Sequence, residues 1–255
     1  MNLINKKIVV YTCVYGDYDT PPSFVKQNIS CDYICFTDNP KFKHNIYKTV
    51  VFRPLDYFNQ KESIDPINYN IVNAALFKSN LNLIEPLKGY DICVYIDGNC
   101  GFKKTNVLSQ ILSNKNLDDH CLILSRHPVR DCIYQEAMAS TNPKYKYTDL
   151  KSQINFYRSE GYPEHNGLFW NGLIIYLKPF DPIMNDFYHL YTEELLKYTR
   201  DKTKYYHMQG QVSMPYVLWK LNVRVFVIPS FFDNGQHFRS DRIIRQIHKK
   251  KIRVD

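Results

Sequence analysis

Short apolar runs rich in β-branched and aromatic residues alternate with longer helix-like segments along most of this 255-residue chain. That alternation restricts the fold more than any other feature. The strand-like runs are KIVVYTCVY (7–15), CDYICFT (31–37), IYKTVVF (46–52), DICVYID (91–97), HCLILSR (120–126), GLFWNGLIIYL (167–177) and VRVFVIP (223–229). Helical segments are expected at 67–84, 105–113, 128–140, 148–159, 183–199 and 207–221. Strands alternating with helices imply an α/β fold, with a mainly parallel central sheet flanked by helices on both faces. In such sheets ligands bind beyond the carboxyl ends of the strands. The positions to inspect are therefore Tyr15 to Asp19, Thr37-Asp38, Asp97-Gly98-Asn99 and Arg126-His127.

Composition narrows the class. With 44% hydrophobic and 23% charged residues, the chain is neither disordered, collagen-like nor a coiled coil. No apolar run approaches the roughly 18 residues of a membrane span. The N-terminal stretch carries no small-residue cleavage site, so a cytoplasmic protein is expected. Thirty-three Lys and Arg against 25 Asp and Glu give a formal charge of +8, which favours anionic partners. Part of that excess lies in the last run, RSDRIIRQIHKKKIRVD, which suits either a solvated end or an acidic lipid surface. The basic residues are otherwise scattered, which argues against a nucleic-acid partner. Seven cysteines without C-x-x-C spacing read as reduced, mostly buried thiols. Glycine-rich dinucleotide and P-loop signatures, a nucleophile elbow and zinc-type spacings are all missing.

Four segments carry candidate chemistry. Asp97-Gly98-Asn99 ends a buried strand with oxygen donors suited to Mg²⁺ or Mn²⁺ and a substrate phosphate, or forms a plain strand-ending turn. Ser125-Arg126-His127-Pro128-Val129-Arg130-Asp131 reads as a strand end followed by a helix opened by Pro128, with Arg130 and Tyr134 on one helix face. Arg is matched to phosphate there, although a solvated helix start reads as well. Glu160 to Gly172 mixes carboxylates, amides, glycine and aromatics, as a sugar-binding loop or a packed connection would. His237, after the last strand, is a candidate metal ligand or a surface residue.

In order along the chain, VYTCVYGDYD, YICFTDNP, YDICVYIDGN, SRHPVRDCIYQEA, EGYP, GLFWNGLIIY and QVSMPYVLWKLN resemble one family. It is the glycosyltransferase-like family of the plant turgor-regulation-defect and mucilage-related proteins and their bacterial relatives, which is similar to GT-A glycosyltransferases. The resemblance implies a GT-A-like (Rossmann-like) domain over 1–238 with a basic tail at 239–255. It implies Asp97, Asn99 and His237 as metal ligands, with Gly98 in the same diphosphate-binding motif. It implies Tyr11, Thr12, Tyr15 and Asp17, then Thr37 and Asp38, as nucleotide contacts, with Lys78 and Arg130 facing phosphate. Arg126, His127, Arg130 and Asp131 would line the donor-sugar or acceptor pocket. Two departures stand out: Leu81-Asn82 where relatives tend to carry Pro-His, and Gln209-Gly210-Gln211 where they tend to carry Arg-Asp-Gln. The carboxylate at 210 is thus absent. Either Asp131 or Glu164 acts as base, or a retaining route needs none. The implied activity is metal-dependent transfer of a sugar from a nucleotide-sugar donor, UDP-linked before GDP-linked, to a hydroxyl of a surface glycan or glycolipid. The rival is a non-catalytic nucleotide-sugar or glycan binder of the same fold. The tail would add peripheral contact with the inner membrane face.

Overall fold

The computed structural model describes residues 3–16, 18–23, 25–57, 66–140, 148–197, 209–229 and 244–246. The chain forms β1 (Ile8–Val14), β2 (Asp32–Thr37), β3 (Lys48–Val51), α1 (Pro66–Ser79), β4 (Ile92–Ile96), β5 (Cys100–Phe102) and α2 (Val107–Leu112). It continues with β6 (Leu122–Arg126), α3 (Ile133–Ala139), α4 (Leu150–Ser159), β7 (Phe169–Tyr176), α5 (Pro182–Lys197), α6 (Gly210–Lys220), β8 (Val225–Ile228) and β9 (Ile244–Gln246). Seven strands form one sheet in the order β3-β2-β1-β4-β7-β6-β8. Only β7 runs against the others. The expected mainly parallel α/β sheet is therefore present. β5 and β9 pair antiparallel in a separate ribbon, so 244–246, within the run expected as a tail, lies beside the strand that follows Asn99.

Alternation along the strands builds a core on each face. Val9, Tyr11 and Cys13 of β1 share one core with residues of α1, α3, α4, α5 and α6, while Ile8, Val10 and Val14 share a second core with α2 and loop residues. Helices thus cover both faces, but unevenly. Every residue of β1 and β4 is buried. Each large apolar side chain buried there contributes roughly 1.5–3 kcal/mol. That outweighs the buried Thr12 hydroxyl, which has no partner and costs about 1–3 kcal/mol.

The carbonyl end of α1 is docked by side chains from three elements. The Tyr11 hydroxyl of β1 donates to the Phe77 carbonyl (2.9 Å), and that of Tyr176 in β7 donates to the Lys78 carbonyl (2.6 Å). The Thr192 hydroxyl of α5 reaches the Ser79 hydroxyl (3.3 Å) and carbonyl (3.5 Å). Burial pushes both phenols well above the ordinary tyrosine pKa, so they remain donors. These bonds satisfy carbonyls that a helix end leaves unpaired. They account for α1 ending at Ser79, with only a 3₁₀ turn at Leu81–Leu83 where the sequence pattern had extended the helix to 84.

β7 begins at the edge where β6 ends, so the 127–168 connection starts and finishes over the carboxyl ends of the parallel strands. Its pairing is interrupted there. Ser125 faces Trp170 while Leu124 faces Ile174, leaving Asn171, Gly172 and Leu173 bulged. The Gly172 carbonyl accepts the Asp97 N–H (3.0 Å). The Trp170 indole lies over Gly172, where a Cβ would fall 2.1 Å from Trp170 Cζ2. Gly172→Ala is expected to lower stability by about 1–3 kcal/mol through overpacking, measured by denaturant unfolding. An unchanged midpoint would contradict this reading of the bulge.

Candidate active site

Asp97 follows β4 directly and is held from three sides. Its Oδ1 lies 2.7 Å from the Lys78 ammonium and accepts the Tyr95 hydroxyl at 2.9 Å. Its N–H is bonded to the β7 bulge. Lys78 sits in the last turn of α1, where a cation suits the negative helix end, and lies 4.9 Å from the Tyr95 ring centroid. Both charged side chains are about one quarter exposed, at 25% and 27%. They form a half-sheltered pair open to a ligand. Gly98 is closely packed, since a Cβ there would stand 3.1 Å from the Cys13 carbonyl oxygen and 3.3 Å from Asp19 Cβ. The Asn99 amide oxygen accepts the buried Cys100 thiol at 3.3 Å. Lys78 and Asp97 are thus brought together, with Gly98 and Asn99 following directly in the chain.

The segment after β6 departs from expectation. The helix expected over 128–140 spans only Ile133–Ala139, so Arg130 precedes it and shares no helix face with Tyr134. The reason is a competing turn. His127 Nδ1 accepts the N–H groups of Val129 (3.3 Å) and Arg130 (3.1 Å), and the Asp131 carbonyl accepts the Gly167 N–H (2.9 Å). The residue before Pro128 is also biased away from helix. Burial holds the His127 pKa below its ordinary value, so near neutral pH the ring is uncharged and its Nδ1 is occupied by backbone. Arg130 Nε donates to Glu136 Oε2 (2.6 Å). Glu136 also accepts Gln209 Nε2 (3.3 Å), which binds the Ser140 hydroxyl as well (2.8 Å). This buried carboxylate ties the 127–131 turn to α3 and to Gln209, and it engages the Nε of Arg130. Arg126 is exposed at the strand end and makes no ion pair among the described residues.

At β1 and β2 the burial of Tyr11, Thr12, Tyr15 and Thr37 corrects their expectation as nucleotide contacts. Tyr11 and Thr12 are wholly buried within β1, and Tyr15 is 4% exposed with its hydroxyl bonded to the Phe52 carbonyl. All three belong to the core or its lining, because Tyr11 and Thr12 stand in β1, whose seven residues are all buried, and Tyr15 follows it directly. Thr37 is buried, its hydroxyl accepting the Asn39 N–H (3.1 Å). Asp38 accepts the Gly16 N–H on both oxygens (3.1 and 3.2 Å), clipping the loops after β1 and β2 together. Asp17 and His237 lie outside the described residues.

Of the two expected bases, Glu164 is paired with Arg158 (3.2 Å) and Asp131 with His165 Nδ1 (2.8 Å). His165 and Glu136 were given no role by sequence reasoning, while Asp19 stood there only as a strand-end position and Gln209 only within the departure at 209–211. His165 stood inside the mixed 160–172 segment, and only its left-handed backbone (φ 55) marks it now. All seven cysteines are free, as expected.

A divalent cation would need hard oxygen donors at this edge. Both internal contacts of the Asp97 carboxylate fall on Oδ1, and the Asn99 amide stands two residues on. Among the described residues no three His, Cys, Asp or Glu cluster to hold a metal. Asp97 and Asn99 therefore fit only a cation that takes most of its shell from diphosphate and water, as Mg²⁺ commonly does.

Residues 84–245, more than half of the chain, match the family described as TOD1/MUCI70, glycosyltransferase-like domain. The chain belongs to this family. The matched segment contains Asp97, the 126–131 segment, β7 and α6, and begins after Lys78. No curated protein matches. Among solved structures, mouse xyloside xylosyltransferase 1 in its apo form aligns at 12% identity, over 88% of this chain and 84% of that one, with a TM-score of 0.49. Galactosyltransferase LgtC in complex with donor and acceptor sugar analogs aligns at 14% identity, over 88% and 74%, with a TM-score of 0.47.

The lowered His127 pKa has a signed consequence. As pH falls below about 6.5, the unfolded chain takes up a proton before the folded one, so the His127 contribution to stability is lost on acidification. His127→Asn keeps an acceptor for the two N–H groups without titrating. The difference in Tm between the native chain and this variant should narrow between about pH 7.5 and 5.5. A constant difference would contradict the assignment.

Proposed function

We propose that this chain is a metal-dependent, GT-A-type glycosyltransferase that moves a sugar from a nucleotide-sugar donor to a hydroxyl of a surface glycan or glycolipid. The carrying observation is the Lys78–Asp97 pair at 2.7 Å, with Asn99 beside it and Arg126 exposed on the same carboxyl edge, in a chain of a glycosyltransferase-like family. Lys78 and Arg126 would balance the charge that develops on the leaving nucleoside diphosphate. Asp97 and Asn99 would hold Mn²⁺ or Mg²⁺, which when bound supplies further positive charge to that diphosphate. Asp38 and Gly16 border the side where a base and ribose would lie, and a UDP-linked donor is favoured over a GDP-linked one. The acceptor would be met in the cytoplasm, at the inner face of a membrane, which the basic run at 239–255 suits. No helix of the described residues is long and apolar enough to cross a membrane.

One observation favours a second reading, a non-catalytic binder of nucleotide sugars or glycans. A Cβ at Gly210 would stand 2.7 Å from the Tyr191 hydroxyl and 3.4 Å from Asn171 Nδ2. No carboxylate fits at 210 without displacing Tyr191, so any base must come from elsewhere.

Thermal stabilisation reports nucleotide binding under either reading, because a ligand that binds only the folded state raises its Tm, and turnover separates the two. UDP or GDP with Mn²⁺ is expected to raise the Tm of the native chain, with the shift lost in Asp97→Ala. Transfer from the matching nucleotide sugar should fall at least about 100-fold in that variant, while its Tm without ligand stays close to native. A fully active Asp97→Ala protein would remove Asp97 from the site. Nucleotide binding without turnover of any donor would favour the binder.

A further inference from the structure

His165 is one of three non-glycine residues with positive φ among the described residues, and the one at the ligand edge of the sheet (φ 55). Two backbone bonds anchor the chain just after it. The Gly167 N–H donates to the Asp131 carbonyl (2.9 Å), and the His127 N–H donates to the Leu168 carbonyl (2.8 Å). They extend the β6–β7 pairing beyond Arg126 and Phe169, carrying His165 past the strand ends. Strain of this kind persists only where surrounding structure enforces it, and it concentrates at functional sites. The ring is not spent on the fold. Its Nδ1 faces Asp131 Oδ1 at 2.8 Å, and the side chain is 54% exposed. Two neighbouring charges are engaged elsewhere: Glu164 pairs with Arg158 of α4 (3.2 Å), and Arg130 pairs with Glu136 of α3 (2.6 Å).

Resting on the transferase reading, we propose that His165 is the general base of the reaction and Asp131 its positioning residue. Asp131 accepts the Nδ1 proton and thereby fixes the tautomer that leaves the Nε2 lone pair available. Nε2 takes the proton of the acceptor hydroxyl as its oxygen forms a bond to the anomeric carbon. The bond from that carbon to the diphosphate oxygen breaks, and the nucleoside diphosphate leaves with the electron pair. The imidazolium then returns its proton to solvent. This is a single displacement, so the anomeric configuration inverts. A histidine–aspartate pair also supplies what Gly210 cannot. Asp131 and Glu164, the carboxylates expected to act as base from the sequence, become an orienting group and an ion-pair partner.

His165→Gly is the informative variant, because glycine adopts the left-handed backbone without cost and leaves room for added imidazole. The chain is assayed with UDP-glucose, UDP-galactose and GDP-mannose, using methyl glycosides and water as acceptors, alongside thermal shifts with UDP and GDP. The native chain should transfer with inversion. His165→Gly should keep the native nucleotide shift yet lose about 100-fold or more in kcat, with imidazole restoring part of it. Asp131→Ala should lower kcat with little change in donor KM, Asp131→Asn should recover part of the loss, and nitrogen chemical shifts should show the Nδ1–H tautomer of His165 depleted in Asp131→Ala. Transfer by His165→Gly within about threefold of native, no response to imidazole, or retention of configuration would overturn the proposal while leaving the transferase reading in place. No turnover by the native chain with any of these donors would overturn that reading, and the base assignment with it.

Discussion

The end of α1 is the point on which the site depends. Tyr11, Tyr176 and Thr192, from β1, β7 and α5, bond the carbonyls and hydroxyl of its last turn. Lys78 projects from that turn onto Asp97. An ion pair about one quarter exposed contributes little net stability, on the order of 1 kcal/mol or less. Its importance is placement: a fixed ammonium at the carboxyl edge, beside a carboxylate held at its backbone by the β7 bulge. The buried tyrosines supply the energy and the geometry, and the ion pair reports where they put the helix.

β7 performs the second positioning task. Reversed against the other strands of the seven-stranded sheet, it begins at the ligand edge, and two backbone bonds in it or just before it tie the halves of that edge together. The Gly172 carbonyl holds Asp97, and the Leu168 carbonyl holds His127. The conformations that depart from regular structure gather here: the three-residue bulge, Trp170 lying over Gly172, and the positive φ at His165 and Gly167. The inner strands β1 and β4 are regular and wholly buried, which gives these irregular segments a firm base.

Strand positions were legible because fully buried strands write continuous apolar runs, and Asp97 was legible as a carboxylate at the end of one. The same runs misdirected the nucleotide contacts. Nothing local distinguishes Tyr11 and Thr12, inside β1, from residues at its mouth. Pro128 read as a helix opener because the signal is local, whereas the turn that displaces the helix depends on the His127 ring and on Gly167, 36 residues after Asp131 in the chain. Glu136–Gln209 and Asp131–His165 were invisible for the same reason, being 73 and 34 residues apart. The change at 210 was legible as a missing carboxylate, but its steric cause, the Tyr191 hydroxyl, required the fold.

The central claim is that the edge formed by Lys78, Asp97, Asn99 and Arg126 receives a nucleoside diphosphate. The most direct measurement is a crystal structure of the chain with UDP and Mn²⁺, with the phosphorus and manganese positions fixed by anomalous scattering. The account predicts the diphosphate between Arg126 and the Lys78–Asp97 pair, at the carboxyl ends of β4 and β6. A nucleotide seated at the opposite edge of the sheet, or on the β5–β9 ribbon away from Asp97, would contradict it.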